Sequence, residues 1–264
     1  PPHTRNQSSA ASDVYKRQVY RSSNPALNPQ YFQGGVASER MTLDGTINKT
    51  ITLLGLVSIA AMLSYSIVSQ TPGLGFMITI GGAIGGAILA LAILFIRPNN
   101  PQILMSMYAL LEGLFIGGFS YMIENYYLGG TEGVVLQALV GTVAVFLTML
   151  AIYKFGIIKP TEKFVLVVSA LCGAIMIVYL FNFIMMFFGT GIPFLHSSGP
   201  IGIGISIVFI TVAALMLIVD FGMIENGVRF GAPKNMEWYG AFGLVLTLVW
   251  LYIEMLKLIA KLRD

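Results

Sequence analysis

The chain has 264 residues, 56% of them apolar and only 10% charged, with a mean hydropathy of +0.80. A soluble domain carries about 25% charged residues, so a water-soluble globule is excluded and a single polytopic helical bundle accounts for the whole length. The net charge of +3 is mild; it suits basic loops at an anionic membrane face and carries no nucleic-acid signature. The one cysteine, Cys172, sits in an apolar run, can form no internal disulfide and reads as a small hydrophobe.

Residues 1–18 are unlike the remainder. They contain no apolar stretch of signal-peptide type. The string Asp13-Val14-Tyr15-Lys16-Arg17-Gln18 resembles read-through of a sequencing adapter, so a non-native leader is expected there. Residues 19–48 form a polar N-terminal segment, with a Pro/Asn/Ser-rich lead from Arg21 to Gly35 expected to be disordered or surface-bound. Met41 to Thr50 reads as an amphipathic lead-in to the membrane domain, 49–264.

Seven spans are predicted, since a helix needs roughly 20 apolar residues to cross a bilayer. Ile51–Val68, Gly73–Ile96, Val134–Tyr153 and Phe164–Phe188 are free of charge. Ile103–Ile123 carries only Glu112, Ile201–Ile224 only Asp220, and Trp238–Leu262 carries Glu254, Lys257 and Lys261. Turn chemistry marks the breaks at Thr71-Pro72-Gly73, Arg97-Pro98, Gly129-Gly130, Lys159-Pro160, Gly199-Pro200 and Gly231-Ala232-Pro233. Within the second span Gly81, Gly82, Gly85 and Gly86 make two overlapping GxxxG pairs, and Gly113 and Gly117 make another in the third, spacings that let helix backbones approach closely.

Lys and Arg are asymmetric about these spans. With the N-terminus inside, one side receives Arg21, Arg40, Lys49, Arg97, Lys154, Lys159, Lys163, Arg229 and Lys234, and the other only Lys257, Lys261 and Arg263. This bias predicts a cytoplasmic N-terminus and an external C-terminus. The basic tail resists translocation, however, which keeps open a re-entrant seventh segment.

The intramembrane acids carry the functional expectation. A carboxylate in hydrocarbon is costly, on the order of several kcal/mol, unless it is paired, protonated or wetted. Two such acids in contact share a proton, cling when protonated, and repel or accept a cation when not. Asp220 and Glu254 are the expected gate and pH sensor, with a transient calcium contact; Glu112 is a secondary acid in the path, and Arg97 an exchange partner. Two structural alternatives stand beside this: Glu254 can simply pair with Lys257 at i,i+3, and the depths of Asp220 and Glu254 differ by roughly 10 Å if the turn lies at 231–235. The in-span polar residues Gln137 and Asn182 are expected to hydrogen-bond between helices. His196 is a loop residue with no assigned task.

Several strings carry a family resemblance. Ser23-Asn24-Pro25-Ala26-Leu27, Met41-Thr42-Leu43-Asp44-Gly45-Thr46-Ile47-Asn48-Lys49-Thr50, Asp220, the block from Gly231-Ala232-Pro233-Lys234-Asn235-Met236-Glu237-Trp238 to Gly243, and Leu251-Tyr252-Ile253-Glu254 resemble the bacterial branch of the Bax inhibitor-1-like family. The resemblance implies an all-α integral membrane bundle of seven helices, the C-terminal one central, in a bacterial plasma membrane. It implies a pH-sensitive calcium leak in which Asp220 and Glu254 match the latch acids of helices six and seven and Arg97 matches the arginine that swaps onto the helix-six acid. Glu254 departs from the family's aspartate, and the link between the two acids is longer than usual.

The competing expectation is a non-conducting regulator or scaffold that binds another membrane protein, such as a membrane protease. Enzymatic readings fare worse. A rhomboid-type protease needs an intramembrane His beside a serine such as Ser120, and no span holds one; an aspartyl protease needs two aspartates, and only Asp220 is in a span. No enzyme activity and no cofactor are expected, calcium and protons being the ions handled.

Overall fold

The computed structural model describes residues 40–98 and 100–264. The expected leader, and the polar segment as far as residue 39, lie outside the described residues. The rest is helical, and seven helices are long and apolar enough to cross a membrane. These are α1 (Leu43–Gln70), α2 (Pro72–Ile96), α3 (Gln102–Tyr121), α4 (Val134–Lys154), α5 (Glu162–Phe187), α6 (Pro200–Arg229) and α7 (Met236–Arg263). Among the described residues the β structure is one isolated bridge, between Arg40 and Pro233. The chain is a multi-pass membrane protein.

Local chemistry sets the ends. The Thr42 side chain accepts a hydrogen bond from the Gly45 amide (3.0 Å), and Asp44 lies in the first turn of α1. With that cap in place, the amphipathic lead-in and the first predicted span fuse into one helix of 28 residues, about 42 Å long, which overshoots a hydrocarbon core of about 30 Å. Pro72 opens α2 at a position where its missing amide costs nothing, and Pro200 opens α6 likewise. Arg97, at φ 47, closes α2 in the left-handed region, a conformation that costs a non-glycine residue about 1 kcal/mol or more.

α3 continues into a π-helical segment, Met122–Tyr127, in which the Leu128 amide donates to Ile123 (3.1 Å). The wider turn carries Glu124 into the protein, where it is buried. Between α5 and α6 the chain folds into a four-residue helix, Pro193–His196, which sequence periodicity is too short to reveal.

α7 is the centre of the bundle, packed against α1, α4 and α6 and touching α3. Two apolar clusters flank it, one around Leu217, Phe221, Leu244 and Leu251, the other around Leu53, Tyr108, Phe242 and Val245. The glycine spacings work as expected on one face each. Gly113 lies against Val57 and Ala60 of α1, Gly117 against the Ala61 backbone, and Gly82 and Gly86 against Leu111 and Glu112 of α3; Gly81, by contrast, faces nothing within 4 Å. α5 is peripheral, packing chiefly on α6.

The helix directions gather Arg40, Lys49, Arg97, Lys154, Lys159, Lys163, Arg229 and Lys234 at one end of the bundle and Lys257, Lys261 and Arg263 toward the other. α7 is continuous over 28 residues, so the re-entrant alternative for the last segment does not hold.

Candidate functional site

At the Arg40 end, two of the strings singled out in the sequence meet. Glu237, in the first turn of α7 and 1% exposed, accepts from both the Thr42 amide and the Thr42 hydroxyl through Oε1 (2.9 Å each), and Lys49 closes an ion pair on Oε2. Lys49 also lies 5.5 Å from the centre of the Trp238 ring. The Met41 amide donates to the Ala232 carbonyl (2.7 Å). A helix N-terminus favours a carboxylate, and here one carboxylate serves two helix starts at once. Sequence reasoning quoted Glu237 without assigning it a task. The signal it missed was an acid at the head of one apolar span facing a lysine one turn into another.

Asp220 is the acid the bundle encloses most completely without a cation in contact. It is 6% exposed, and its Oδ2 is buried without a hydrogen-bond partner among the described residues. Gly243 faces it, its missing Cβ direction ending 3.9 Å from Oδ1. Two residues on, Gly222 packs against Pro160 in the α4–α5 connection, so Asp220 belongs to the Arg40 half of the bundle.

The expected pairing of Asp220 with Glu254 is not formed. Asp220 stands level with Gly243, and Glu254 lies eleven residues farther along α7, about 16 Å at the helical rise. α6 runs on to Arg229, nine residues past Asp220, whereas α7 starts at Met236, eighteen residues before Glu254, so the two acids stand at different depths. A calcium contact shared by the two is excluded by the same distance. Among the described residues no three His, Cys, Asp or Glu side chains group as a metal site.

Glu254 has a different partner set. It is 1% exposed; its Oε1 accepts from Lys257 (2.9 Å) and from the Tyr179 hydroxyl of α5 (2.5 Å), and Lys257 donates to Tyr179 as well (2.9 Å) while lying 4.5 Å from its ring centre. The i,i+3 ion pair is therefore formed, closed inside the bundle by a tyrosine from α5. One turn on, Lys261 turns inward and is 8% exposed. Two of the three cations of the basic tail are thus held within the protein.

Glu112 is half-buried in the middle of α3, its carboxyl against Gly86 of α2 and one turn from Tyr108. Arg97 stays at the end of α2, its Nε donating to the Leu94 carbonyl (3.3 Å). Beside it Tyr239 of α7 donates to the Pro98 carbonyl (3.0 Å). Tyr239 is one helical turn from Gly243, so Arg97 and Asp220 approach α7 at neighbouring levels.

Glu124, unassigned in the sequence, accepts from Tyr65 (2.8 Å) and from the Gly133 and Val134 amides (2.8 and 3.1 Å), capping α4 from the end of α3. Of the polar residues expected to join helices, Gln137 is exposed, and Asn182 instead accepts from the Ile192 amide (2.9 Å), fixing the α5–α6 connection. Ser120 is bonded to the Tyr252 hydroxyl (2.8 Å). His196 lies in the short helix.

A family model described as Bax inhibitor 1 like matches residues 4–264. The chain belongs to this family. No curated protein and no solved structure matches it. Membership agrees with the seven-helix membrane fold; in this chain the acid of the seventh helix, Glu254, is committed to Lys257 and Tyr179.

Proposed function

We propose that this member of the Bax inhibitor 1 like family is a pH-responsive cation leak, calcium being the chief ion, in a bacterial plasma membrane, with its N-terminus in the cytoplasm, and that Asp220 alone is the charge that the proton and the ion compete for. The supporting observation is the setting of Asp220: a carboxyl inside the bundle with, among the described residues, one oxygen unpartnered and no cation in contact. An uncompensated buried charge costs on the order of several kcal/mol, so this group calls for a proton or a metal cation as its partner. The other buried acids are already served, Glu237 by Lys49 and Thr42, Glu254 by Lys257 and Tyr179, Glu124 by Tyr65 and two amides. In this reading Arg97, which meets α7 at a neighbouring level, exchanges onto Asp220 when helices shift.

The orientation follows from charge. Eight basic residues of the described chain gather at the Arg40 end, against three at the other, of which Lys257 and Lys261 are bonded internally. The protein acts without catalysis or cofactor in this reading.

The test is calcium flux into proteoliposomes between about pH 6 and about pH 8, with the parent protein, Asp220→Asn and Glu254→Gln. Asp220→Asn is expected to abolish the pH dependence, and Glu254→Gln to retain it. Flux that keeps its pH dependence in Asp220→Asn overturns the assignment. A purified parent that conducts nothing overturns the leak itself and leaves the regulator that binds another membrane protein.

A further inference from the structure

Lys261 is placed as an ion would be. Its Nζ donates to the Leu195 carbonyl (2.8 Å), the Gly202 carbonyl (2.9 Å) and the Ser206 hydroxyl (2.9 Å). These three oxygens use all three protons of an ammonium. They come from the short helix Pro193–His196 and the first two turns of α6, while the lysine is in the last turns of α7. Among the described residues no carboxylate is bonded to it, for Glu254 is taken by Lys257 and Tyr179. A cavity of about 20 Å³ adjoins the ammonium, reaching Glu254, Tyr179 and Ser206. That is room for about one water or one small ion.

The chemistry of this cage selects its occupant. Two carbonyls and a hydroxyl aim lone pairs at one point, which repels an anion and replaces part of the hydration shell of a monovalent cation. Calcium takes six to eight oxygens, more than the three gathered here. We propose that the cage is a monovalent-cation site which the protein fills with its own tethered ammonium, Lys261, and that removing the tether opens the site to a free primary alkylammonium ion. In the intact protein the same charge stands at the Arg263 end of the bundle and repels entering cations; that consequence alone rests on the leak reading.

The experiment uses the full chain in detergent, with Tm as the readout, so it needs no conduction. Lys261→Ala removes the three methylenes and the ammonium beyond Cβ, a propylammonium in outline. The loss is expected to lower Tm by about 5 °C or more, because charge-assisted hydrogen bonds are withdrawn from buried acceptors. Propylammonium should restore Tm saturably in this variant, 1-propanol and tetramethylammonium should not, and the parent protein should respond to none of them. Adding Ser206→Ala should weaken the rescue. Absence of a saturable propylammonium effect, or an equal effect from 1-propanol, overturns the proposal. If Lys261→Ala gives no folded protein, Lys261→Met decides: volume is kept while the ammonium is lost, Tm must fall, and a Tm equal to the parent's overturns the assignment. In proteoliposomes, Lys261→Ala should raise sodium leak and propylammonium suppress it; a rescue of Tm without any leak leaves the cage standing and removes only the conduction.

Discussion

Replacing Glu237 by Ala should be among the most damaging single substitutions at the Arg40 end. The change deletes the acceptor of two hydrogen bonds from Thr42 and the partner of Lys49. A hydrogen bond to a charged group is worth about 1.5–3 kcal/mol. The Lys49 pair adds little beyond that, because Lys49 remains 18% exposed and such pairs contribute about 0–1 kcal/mol. Allowing for non-additivity within one network, the loss is about 3–5 kcal/mol, or a Tm fall of roughly 6–15 °C for a chain of this size. Glu237→Gln keeps one carbonyl acceptor for Thr42 and should lose roughly a third of that. The assay is thermal unfolding of the purified protein, with a double-mutant cycle through Thr42→Val. A coupling of about 1 kcal/mol or more between positions 42 and 237 is expected. A Glu237→Ala Tm within about 2 °C of the parent's, less than 1 kcal/mol at this size, would refute the claim that one carboxylate ties the start of α1 to the start of α7.

Two further predictions separate packing from charge. Gly117→Ala drives a Cβ into the Ala61 backbone of α1 and should cost several kcal/mol, whereas Gly81→Ala has nothing within 4 Å and should stabilise by up to about 1 kcal/mol through helix propensity; comparing the two melting temperatures checks this, and equal effects would contradict the packing described. Lys257→Met strands Glu254 inside the bundle and should destabilise by about 3–5 kcal/mol, while Lys257→Met with Glu254→Gln should recover most of the loss; the Tm of the double variant, compared with that of Lys257→Met, decides.

The spans were legible because their signal is local. Twenty apolar residues between turn residues are a property of one stretch, and six of the seven helices begin and end within a few residues of the predicted limits. α1 is the exception, since its lead-in has no breaker and Thr42 caps it early. The glycine pairs were legible as close contacts, but not which of Gly81 and Gly82 faces α3, because both sit in equally good GxxxG spacing. Asn182 was misread for a similar reason: composition shows a polar side chain in a span, and only the fold shows that the α5–α6 connection returns to it.

The site divides the same way. The cost of burying charge marks Glu112, Asp220 and Glu254 from sequence alone, because each stands in an apolar stretch wherever the stretch is placed, whereas Lys257 and Lys261 read as a basic tail and turn inward only in the fold. Which of them meet is set by depth along two helices and by rotation about their axes. The register of α6 against α7 sets Glu254 about 16 Å from the level of Asp220 and gives it to Tyr179, a residue 75 positions distant in the chain. Hydropathy thus determined that these three acids would lie within the membrane spans, while the register between packed helices decided their partners, since a side chain's neighbours across a bundle depend on three-dimensional placement that no local pattern of residues encodes.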